Sequence, residues 1–307
     1  MRIFVTGGSG YIGSAVALAC RRAGHDVFGL VRSAEKGREL ARNEVRPVVG
    51  TLQNPDSYLS VAKHCSVLIH TAFERTAEAV AVDRKTVETL LAASAGGSEP
   101  KTVIYTSGVW ANGDTKCASV DETSPTAPIQ AVSFRPATEA LVLGSSGAKG
   151  LVIRPGVVYG GRGGLTGMWF GGAKDKSVKV IGEGNNHMPP IHVEDLADSY
   201  LRAAESGLKG ELFLLAEGSM PTAKQMATAA ARAAGYQGEV QSWPVADAAK
   251  AMGIWVEGLA LDQHVDSGKA QRLLGWAPKH RPFVEEAGTY FEAWKEHQAA
   301  AAAGAAA

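Results

Sequence analysis

Three glycines near the start of the chain have the spacing of a site that binds the pyrophosphate of a dinucleotide. Gly7, Gly10 and Gly13 lie within the stretch GGSGYIG. The first glycine permits a tight turn, the second lets the backbone approach a phosphate, and the third allows a helix to pack closely on a strand. A helix that begins here would also direct its free N–H groups at the phosphates. The spacing predicts a dinucleotide site that also includes Tyr11 and Ile12.

The segments on either side of the glycines fit this prediction. Residues 2–6 (RIFVT) and 26–31 (DVFGLV) are short apolar runs rich in branched side chains, which is typical of buried strands. Between them, apolar residues recur at helical spacing up to Arg22. Strand, glycine turn, helix and strand form one βαβ unit, the segment that holds the dinucleotide in many α/β proteins.

The residue after the second strand indicates which dinucleotide is bound. Asp or Glu at this place binds the 2′-hydroxyl of NAD, whereas Arg accommodates the 2′-phosphate of NADP. Arg32 stands here, and Lys36 follows one helical turn later. The alternative is that both are solvated surface charges. We predict NADP(H) as the cofactor and NAD as the less favoured one.

Strands and helices continue to alternate along the chain, which favours a parallel sheet with helices on both faces. Further strands are expected at residues 46–50, 66–72, 102–106, 151–153 and 212–215, and helices at 57–63, 78–93, 136–143, 194–205, 223–234 and 282–294. The glycine-rich run at 182–186 predicts a β-hairpin. The expected fold class is α/β, a Rossmann doubly wound parallel sheet with a smaller C-terminal substrate lobe.

The same alternation divides the chain into two parts. Residues 1–160, completed by about 191–216, are expected to form the NADP-binding Rossmann domain. Residues 161–190 and 217–298 would form the substrate lobe, and 299–307 are an alanine-rich tail to which we assign no function. The substrate is expected in the cleft between the lobe and the carboxyl ends of the strands.

Composition and cysteine content narrow the range of partners. The 31 basic and 31 acidic side chains cancel, so neither nucleic acid nor a membrane surface is expected as a partner. No apolar run is long enough to span a membrane, and the first strand leaves no room for a signal peptide. Cys20, Cys65 and Cys117 lack the spacing of a metal site. We therefore expect no metal, and a cytoplasmic location.

Six motifs follow one another in the order found in one protein family. They are TGGSGYIG (6–13), IHTA (69–72), YTSGVWANG (105–113), RPGVVYG (154–160), IHVEDLA (191–197) and LLGWAP (273–278). In these motifs the chain resembles the extended short-chain dehydrogenase/reductases, the group of NAD(P)-dependent epimerases, dehydratases and reductases. The resemblance implies a small-molecule substrate and a homodimer formed through the helices at 78–93 and 136–143.

The resemblance also implies further cofactor contacts. Thr51 and Leu52 match the place of an Asp-Leu pair beside the adenine, and only the apolar contact carries over because this chain lacks the Asp. The remaining contacts, at the centre and at the nicotinamide end of the cofactor, are Thr71, Ala72, Thr106, Pro155 and Val157.

The catalytic groups that the family normally uses are missing from this chain. They are a Ser or Thr after the fifth strand, which holds the substrate oxygen, and Tyr-x-x-x-Lys on the following helix. The tyrosine donates the proton that accompanies hydride transfer, and the lysine lowers its pKa. Gly108 falls at the Ser/Thr position, with Ser107 beside it.

Two registers are open for the helix. One aligns Phe134 with the tyrosine and Thr138 with the lysine, whereas the other aligns Ala131 and Arg135 with them. We prefer the second register, because it keeps a cation for the ribose and aligns Glu139 with a glutamate that commonly follows the motif. Neither register contains a tyrosine.

Another group would then have to donate the proton. Candidates near the predicted edges of the cleft are Tyr105, Ser107, Asn112, Asp114, Tyr159, His187 and His192. His187 lies in a polar loop and is the freest of them, and histidine exchanges protons readily near neutral pH. We name Ser107, Arg135 and His187 as the candidate catalytic residues.

Three functions remain open from the sequence. The preferred one is an atypical NADP(H)-dependent reductase of a small organic molecule, such as an enone, iminium or quinone-like acceptor that takes hydride with little acid help. An apolar wall for this substrate would come from Trp110, Phe134, Met168, Trp169 and Phe170. The alternatives are a nucleotide-sugar epimerase or dehydratase with a displaced acid/base group, and a non-catalytic NADP(H)-binding sensor.

Overall fold

The central element of the fold is a parallel β-sheet. The computed structural model describes residues 1–74, 76–95 and 99–306. Its strands are β1 (Arg2–Thr6), β2 (Asp26–Val31), β3 (Arg46–Val49), β4 (Val67–His70), β5 (Lys101–Thr106), β6 (Ser119–Val120), β7 (Ala148–Pro155), β8 (Val157–Tyr159), β9 (Lys179–Ile181), β10 (Pro190–His192), β11 (Glu211–Leu215), β12 (Gln241–Trp243) and β13 (His264–Val265).

The α-helices are α1 (Tyr11–Arg22), α2 (Ala34–Ala41), α3 (Leu59–Lys63), α4 (Ala79–Ser94), α5 (Arg135–Leu143), α6 (Gly167–Lys174), α7 (Val193–Glu205), α8 (Ala223–Ala233), α9 (Val245–Met252), α10 (Val256–Ala260), α11 (Gly268–Leu274) and α12 (Phe283–Ala306). Short 3-10 helices occupy Pro55–Ser57, Val109–Asn112, Gln130–Val132 and Gly253–Trp255.

Seven strands form the main sheet in the order β11-β7-β5-β4-β1-β2-β3, and every neighbouring pair is parallel. The register places Ile3 of β1 beside Val27 on one side and Val67 on the other. The predicted doubly wound Rossmann sheet is thus confirmed. The strand order reverses between β1 and β4, and such sheets bind their ligands at the carboxyl ends of the strands where this reversal occurs.

Helices cover both faces of the sheet. Every residue of β4 is buried, as expected for a central parallel strand. Ile69 packs with Val16 of α1 and Leu196 of α7 in the core on one face, whereas Leu68 packs with Leu90 of α4 on the other. Each of these buried aliphatic side chains stabilises the fold by ~1.5–3 kcal/mol. The two cores hold the ends of β1 and β4, and hence the turns that follow them, in fixed positions.

A third apolar core lies outside the sheet. It buries Trp169 of α6, Met226 of α8 and Phe283 of α12, and it also takes in Val157 and Tyr159 of β8. The segment that directly follows β7 therefore already packs with the later helices. The boundaries assigned to the substrate lobe remain a prediction.

The predicted hairpin at residues 182–186 is wrong. The strand before it, β9, pairs with β12, and the strand after it, β10, pairs with β8, in both cases parallel. Gly182 and Gly184 have φ angles of +60° and +68° and do turn the chain. A glycine-rich turn indicates a change of direction, but it does not determine which strands pair.

The C-terminal half contains helices that the sequence pattern did not predict, namely α6, α9, α10 and α11. The last predicted helix, at 282–294, is extended, because α12 continues through the alanine-rich tail to Ala306. Among the described helices, α12 included, there is none with both the length and the apolar character needed to cross a membrane.

Candidate active site

The glycine loop forms a cradle at the carboxyl end of β1. Gly7 has a φ of +67°, and a Cβ on Gly10 would lie 3.0 Å from the carbonyl oxygen of Gly7. A Cβ on Gly13 would lie 2.2 Å from that oxygen and 2.6 Å from Oγ1 of Thr71, closer than real Cβ contacts. The helix α1 begins at Tyr11 with no side-chain cap and no acidic residue in its first turn. Its N–H groups and partial positive charge therefore suit a pyrophosphate.

The loop that follows β8 reaches the cradle. Tyr11 Oη donates a 2.8 Å hydrogen bond to the carbonyl of Gly160. Arg162 Nη2 donates to the carbonyl of Ser9 at 2.7 Å and to Oγ of Ser14 at 3.2 Å. Burial raises the pKa of the Tyr11 phenol, and the Arg162 charge only partly opposes this. Sequence reasoning missed Arg162, although a single cation within a glycine run was a signal for it.

Residues predicted at the adenosine end surround the ends of β2 and β3. Arg32 directly follows β2, is exposed, and makes no ion pair within the described part of the chain. Lys36 is bound to Glu39 of its own helix at 2.8 Å. Leu52 is buried and Thr51 half-buried. Of the two predicted cations, Lys36 is thus paired with a residue of α2, whereas Arg32 makes no ion pair with a described residue.

The end of β4 lies against the glycine loop. Thr71 Oγ1 donates to the carbonyl of Thr6 at 2.7 Å. A Cβ on Gly7 would lie 3.0 Å from Cα of Ala72, so the two backbones are in close contact. Thr71 and Ala72 therefore form the second wall of the crevice between β1 and β4.

The residues predicted at the nicotinamide end lie at the ends of β5 and β7. Thr106 Oγ1 is 2.6 Å from Oη of Tyr200, so this hydroxyl pair is already hydrogen-bonded. Pro155 ends β7 and is buried. The N–H of Val157 donates to the carbonyl of Pro189 at 2.7 Å. The Val157 N–H is thus engaged and its side chain is buried in the apolar core of the later helices, so its contact with a cofactor remains a prediction.

Behind these strand ends lies a buried polar network that sequence reasoning missed. Tyr105 Oη donates to Oδ2 of Asp83 at 2.8 Å, and Arg135 Nη1 donates to Tyr105 Oη at 2.6 Å. Asp83 Oδ1 lies 3.3 Å from Nε2 of His70 and 3.7 Å from Nη1 of Arg135. The other ring nitrogen of His70 is 2.6 Å from Oγ1 of Thr6. The network gives the buried Asp83 carboxylate one hydrogen bond, from Tyr105, and a nearby cation, although its Oδ1 has no hydrogen-bond partner among the described residues.

Tyr105 is therefore a member of this network and is fully buried. Burial raises the pKa of its phenol, and the neighbouring Arg135 charge opposes the shift. A buried phenol with a raised pKa holds its proton firmly, and Asp83 already accepts that proton in a hydrogen bond. This arrangement disfavours Tyr105 as the group that protonates a substrate.

Arg135 begins α5 and points back to the end of β5. Its Nη1 also donates to the carbonyl of Thr106 at 2.7 Å. Its guanidinium carbon lies 4.8 Å from the ring centre of Phe73, 4.9 Å from that of Phe134 and 5.3 Å from that of Tyr105. The rings of Phe73 and Phe134 stack at 5.5 Å. The guanidinium is thus fixed beside an aromatic surface at the strand ends.

Ser107 is the residue that follows Thr106 at the end of β5. Its N–H donates to the carbonyl of Ile153 at 2.8 Å, which fixes its backbone to β7. Its Oγ is buried and has no hydrogen-bond partner within residues 1–74, 76–95 and 99–306. Such a hydroxyl costs ~1–3 kcal/mol unless a ligand or water bonds to it. It is therefore a group that a substrate oxygen could satisfy.

Three of the other candidate proton donors have structural partners. Asn112 Oδ1 accepts from Nη1 of Arg154 at 3.1 Å. Asp114 is exposed and accepts the backbone N–H two residues later at 2.9 Å. Tyr159 is fully buried and donates to the carboxylate of Glu217, and burial raises the pKa of its phenol. None of these contacts brings its residue to Ser107.

His192 caps a helix. Its Nδ1 accepts the N–H of Glu194 at 3.2 Å in the first turn of α7, and its ring stacks on that of His280 at 3.7 Å. A Cβ on Gly160 would lie 2.2 Å from its Nε2, so the ring fills the space left by that glycine. Burial lowers the pKa of His192, and the neighbouring His280 lowers it further as the smaller cause, to about 4. The Asp195 carboxylate opposes this shift.

This buried cap is expected to make stability depend on pH. In the unfolded chain His192 has a pKa near 6.5 and is protonated below that pH, whereas in the folded protein it is protonated only near pH 4. Stability is therefore full above pH 6.5 and falls below it, by about 2 kcal/mol from pH 7 to pH 5. Urea unfolding at both pH values measures the loss. His192→Asn keeps a capping oxygen that does not titrate, so this variant should lose less stability between pH 7 and pH 5 than wild type. An equal loss in the two proteins would show that His192 is not the titrating group.

His187 belongs to a cluster separate from Ser107. Its Nδ1 lies 2.8 Å from Oδ1 of Asp262, and its ring packs edge-on at 4.5 Å against that of His264. Cys117 Sγ donates to Oδ2 of the same aspartate at 3.1 Å. No hydrogen bond among the described residues joins this cluster to the Ser107 side chain. Of the three candidate catalytic residues, Arg135 reaches the carbonyl of Thr106 next to Ser107, whereas the side chain of His187 is bound to Asp262.

Known proteins resemble the chain in sequence. Residues 3–216 match the family model described as the NAD dependent epimerase/dehydratase family. An uncharacterized protein of Schizosaccharomyces pombe is 30% identical over 300 residues, which are 93% of this chain and 98% of the relative. The 4-hydroxy-2-methyl-3-oxo-4-farnesyl-3,4-dihydroquinoline-1-oxide ketoreductase of Stigmatella aurantiaca is 30% identical over 257 residues, 80% of this chain and 76% of that enzyme.

Solved structures resemble it in fold. UDP-glucose 4-epimerase of Thermotoga maritima, solved with UDP-glucose, superposes with a TM-score of 0.81 and 22% identity. The match covers 96% of this chain and 99% of the epimerase chain. At this level of identity the likeness concerns the fold, and it leaves the substrate open.

Proposed function

Because the chain belongs to the NAD dependent epimerase/dehydratase family, we propose that it is an NADP(H)-dependent reductase of a small carbonyl compound. The family is one of NAD-dependent enzymes, and the proposal adds the choice of NADP and the direction of the reaction. The observation that carries it is the Ser107 hydroxyl, which lies buried and unpartnered among the described residues at the strand ends beside Arg135.

The cofactor-binding part of the proposal rests on the cradle and two arginines. The turn of the Gly7–Gly13 loop is so tight that a Cβ on Gly13 would lie 2.2 Å from the carbonyl oxygen of Gly7, and α1 begins there without a cap. Arg162 lies against the loop and would add a positive charge near the pyrophosphate. Arg32 would bind the 2′-phosphate, because charge-assisted hydrogen bonds from arginine to phosphate are strong and specific.

The chain's own residues would act on the carbonyl oxygen. When bound, NADPH supplies a hydride to the carbonyl carbon. Ser107 would donate its hydroxyl hydrogen bond to the carbonyl oxygen, and the Arg135 charge would stabilise the negative charge that grows there. Ala131 and Phe134 carry no acidic proton, so the proton that converts the resulting alkoxide to the alcohol would come from water.

The aromatic pair Phe73 and Phe134 supports a flat substrate. Both rings are half-buried and stack on each other beside Arg135. A planar, conjugated carbonyl compound would pack against such a surface. The Stigmatella relative is named as a ketoreductase of a dihydroquinoline oxide, which supports the same class of substrate here.

Cofactor choice is tested by titrating NADPH and NADH by calorimetry. We expect wild type to bind NADPH at least tenfold more tightly than NADH, and Arg32→Ala to lose this preference, because one charge-assisted hydrogen bond contributes ~1.5–3 kcal/mol. Arg42→Ala removes another exposed arginine, at the other end of α2, and should change nothing. Equal affinities of wild type for the two nucleotides would refute the NADP assignment.

The reaction is tested by following NADPH oxidation with conjugated ketones and quinones. We expect turnover with at least one of them, and Ser107→Ala should lower kcat by roughly 10- to 100-fold while the affinity for NADPH stays unchanged. Interconversion of UDP-sugars without ketone reduction would instead support an epimerase. NADPH binding without any turnover would support a sensor, and either result would overturn the proposal.

A further inference from the structure

Four side chains outside the candidate active site converge on one point. They are Cys117, His187, Asp262 and His264, and their potential ligand atoms all lie within 4.8 Å of one another. They come from three distant segments of the chain, which explains why the cysteine spacing gave no sign of them. The thiol of Cys117 is at the surface, and the other three residues are half-buried.

The three segments are held together by backbone contacts. The strands β6 and β13 pair beside the cluster, with His264 opposite Ser119. The N–H of Thr115 donates to the carbonyl of Asp262 at 2.8 Å, and the N–H of Gln263 donates to the carbonyl of His187 at 3.0 Å. Backbone hydrogen bonds thus hold the three segments together, independently of the four side chains.

The carboxylate at the centre is oriented by the backbone. Asp262 Oδ1 accepts the N–H of His187 at 2.6 Å, and its Oδ2 accepts the N–H of Cys117 at 2.9 Å. Lys116 and Cys117 both have positive φ, +50° and +64°, a conformation that costs energy outside glycine. This conformation brings the Cys117 thiol within 3.1 Å of the carboxylate.

One imidazole in the cluster lacks a partner. Nε2 of His264 is buried and makes no hydrogen bond to any of the described residues. The nearest carboxylate oxygen in the cluster is Oδ2 of Asp262, at 4.0 Å. Buried polar nitrogens are nearly always satisfied in folded proteins, so this one needs an explanation, such as an unseen ion.

We propose that Cys117, His187, Asp262 and His264 bind one zinc-like divalent ion as a structural site. Thiolate, imidazole and carboxylate are the ligands that zinc prefers. Zinc bonds of about 2.0–2.3 Å in a tetrahedron place the ligand atoms roughly 3.3–3.8 Å apart. Side-chain movements of about 1 Å would therefore close the cluster around an ion. The Cys117 thiol would release its proton to solvent on binding.

Four protein ligands leave no open position for water or substrate, which makes the site structural and not catalytic. The ion would join the loop at Cys117 to β13 and to the loop at His187. Gln263, between two of the ligands, donates from Nε2 to the carbonyls of Val109 at 2.8 Å and Gly113 at 2.9 Å. The ion would thus also fix the short helix that follows Ser107.

Cobalt titration of the untagged, metal-depleted full chain tests the proposal. We expect one Co²⁺ per chain, the visible absorption of a tetrahedral site and a thiolate-to-cobalt charge-transfer band, with displacement by Zn²⁺. Cys117→Ser should remove the thiolate band and weaken binding by at least about 100-fold, and His264→Asn should weaken it similarly. Zinc at 100 times its Kd should raise the unfolding temperature by about 5 °C.

His64→Asn and His280→Asn serve as matched controls. His64 is exposed and belongs to neither grouping, whereas His280 belongs to a second grouping with His192 and Glu194. Both variants should bind cobalt as wild type does. Retained NADPH affinity in Cys117→Ser and His264→Asn would show that they fold. Absence of binding, binding without the thiolate band, or loss of binding in His280→Asn alone would each overturn the proposal.

Discussion

Gly13→Ala is expected to abolish NADPH binding. The new Cβ would lie 2.2 Å from the carbonyl oxygen and 2.8 Å from the carbonyl carbon of Gly7, and 2.6 Å from Oγ1 of Thr71. Two of these atoms are backbone, so side-chain rotation cannot relieve the contact. Either the glycine loop or the first turn of α1 must move, and misplacement by about 1 Å can cost 100-fold or more in a site of this kind.

The measurement is a calorimetric titration of NADPH with circular dichroism as the check on folding. Against a micromolar Kd in wild type, the variant should show no saturation at millimolar NADPH, a loss of about 1,000-fold. Gly171→Ala is the matched control: this glycine lies inside α6, and a Cβ there meets nothing within 4 Å. The control should bind normally. Binding by Gly13→Ala within tenfold of wild type would show that the loop does not hold the pyrophosphate.

The cradle was predictable because its elements are adjacent in the chain. Strand, turn and helix follow one another within Arg2–Arg22, and the glycine spacing describes one local backbone shape. The doubly wound sheet follows in the same way, from repeated βα units whose crossovers allow few arrangements. Arg32 is likewise tied to a single strand end.

The contacts made by side chains from distant segments were not predictable in this way. Arg162 meets the glycine loop across 148 to 153 residues of sequence, and Asp83 meets His70 and Arg135 from a neighbouring helix. The cluster around Asp262 draws on segments that only the folded chain brings together. Periodicity and spacing describe one element at a time, so they contain no information about such pairs.

The wrongly predicted hairpin shows that a local sequence signal can also suggest a contact that the fold does not contain. Residues 182–186 contain the turn chemistry of a hairpin, yet β9 and β10 pair with strands elsewhere in the chain. The local signal was correct about the turn. Strand pairing is decided by which apolar faces can be buried together, and that is a property of the whole fold.

Arg154→Met is expected to destabilise the protein by about 3–5 kcal/mol. Arg154 of β7 is 4% exposed and Glu139 of α5 is 3% exposed. Arg154 Nε donates to Oε1 of Glu139 at 2.8 Å, Nη2 donates to its other oxygen, and Nη1 donates to Asn112. Methionine fills similar volume but leaves a buried carboxylate without a cation, the situation in which breaking one partner costs most.

This ion pair also bears on the candidate active site. Glu139 lies one helical turn after Arg135 on α5. The Arg154–Glu139 pair therefore anchors α5 to β7, and α5 is the helix whose Arg135 reaches the end of β5. The choice of the register that aligns Arg135 with the family lysine remains a prediction. If Arg135 acts on the substrate, Arg154→Met should lower kcat as well as stability, because Arg154 holds α5 through Glu139.

Urea unfolding of two comparison variants separates burial from charge. Arg84→Met breaks the exposed Arg84–Glu88 pair, whose side chains are 52% and 42% exposed, and should cost less than about 1 kcal/mol. The double variant Arg154→Met with Glu139→Leu removes both buried charges and should be more stable than Arg154→Met alone, because no unpaired carboxylate remains. A loss in Arg154→Met no larger than that in Arg84→Met would mean that water reaches the carboxylate, and the anchoring of α5 would then have to come from its apolar contacts.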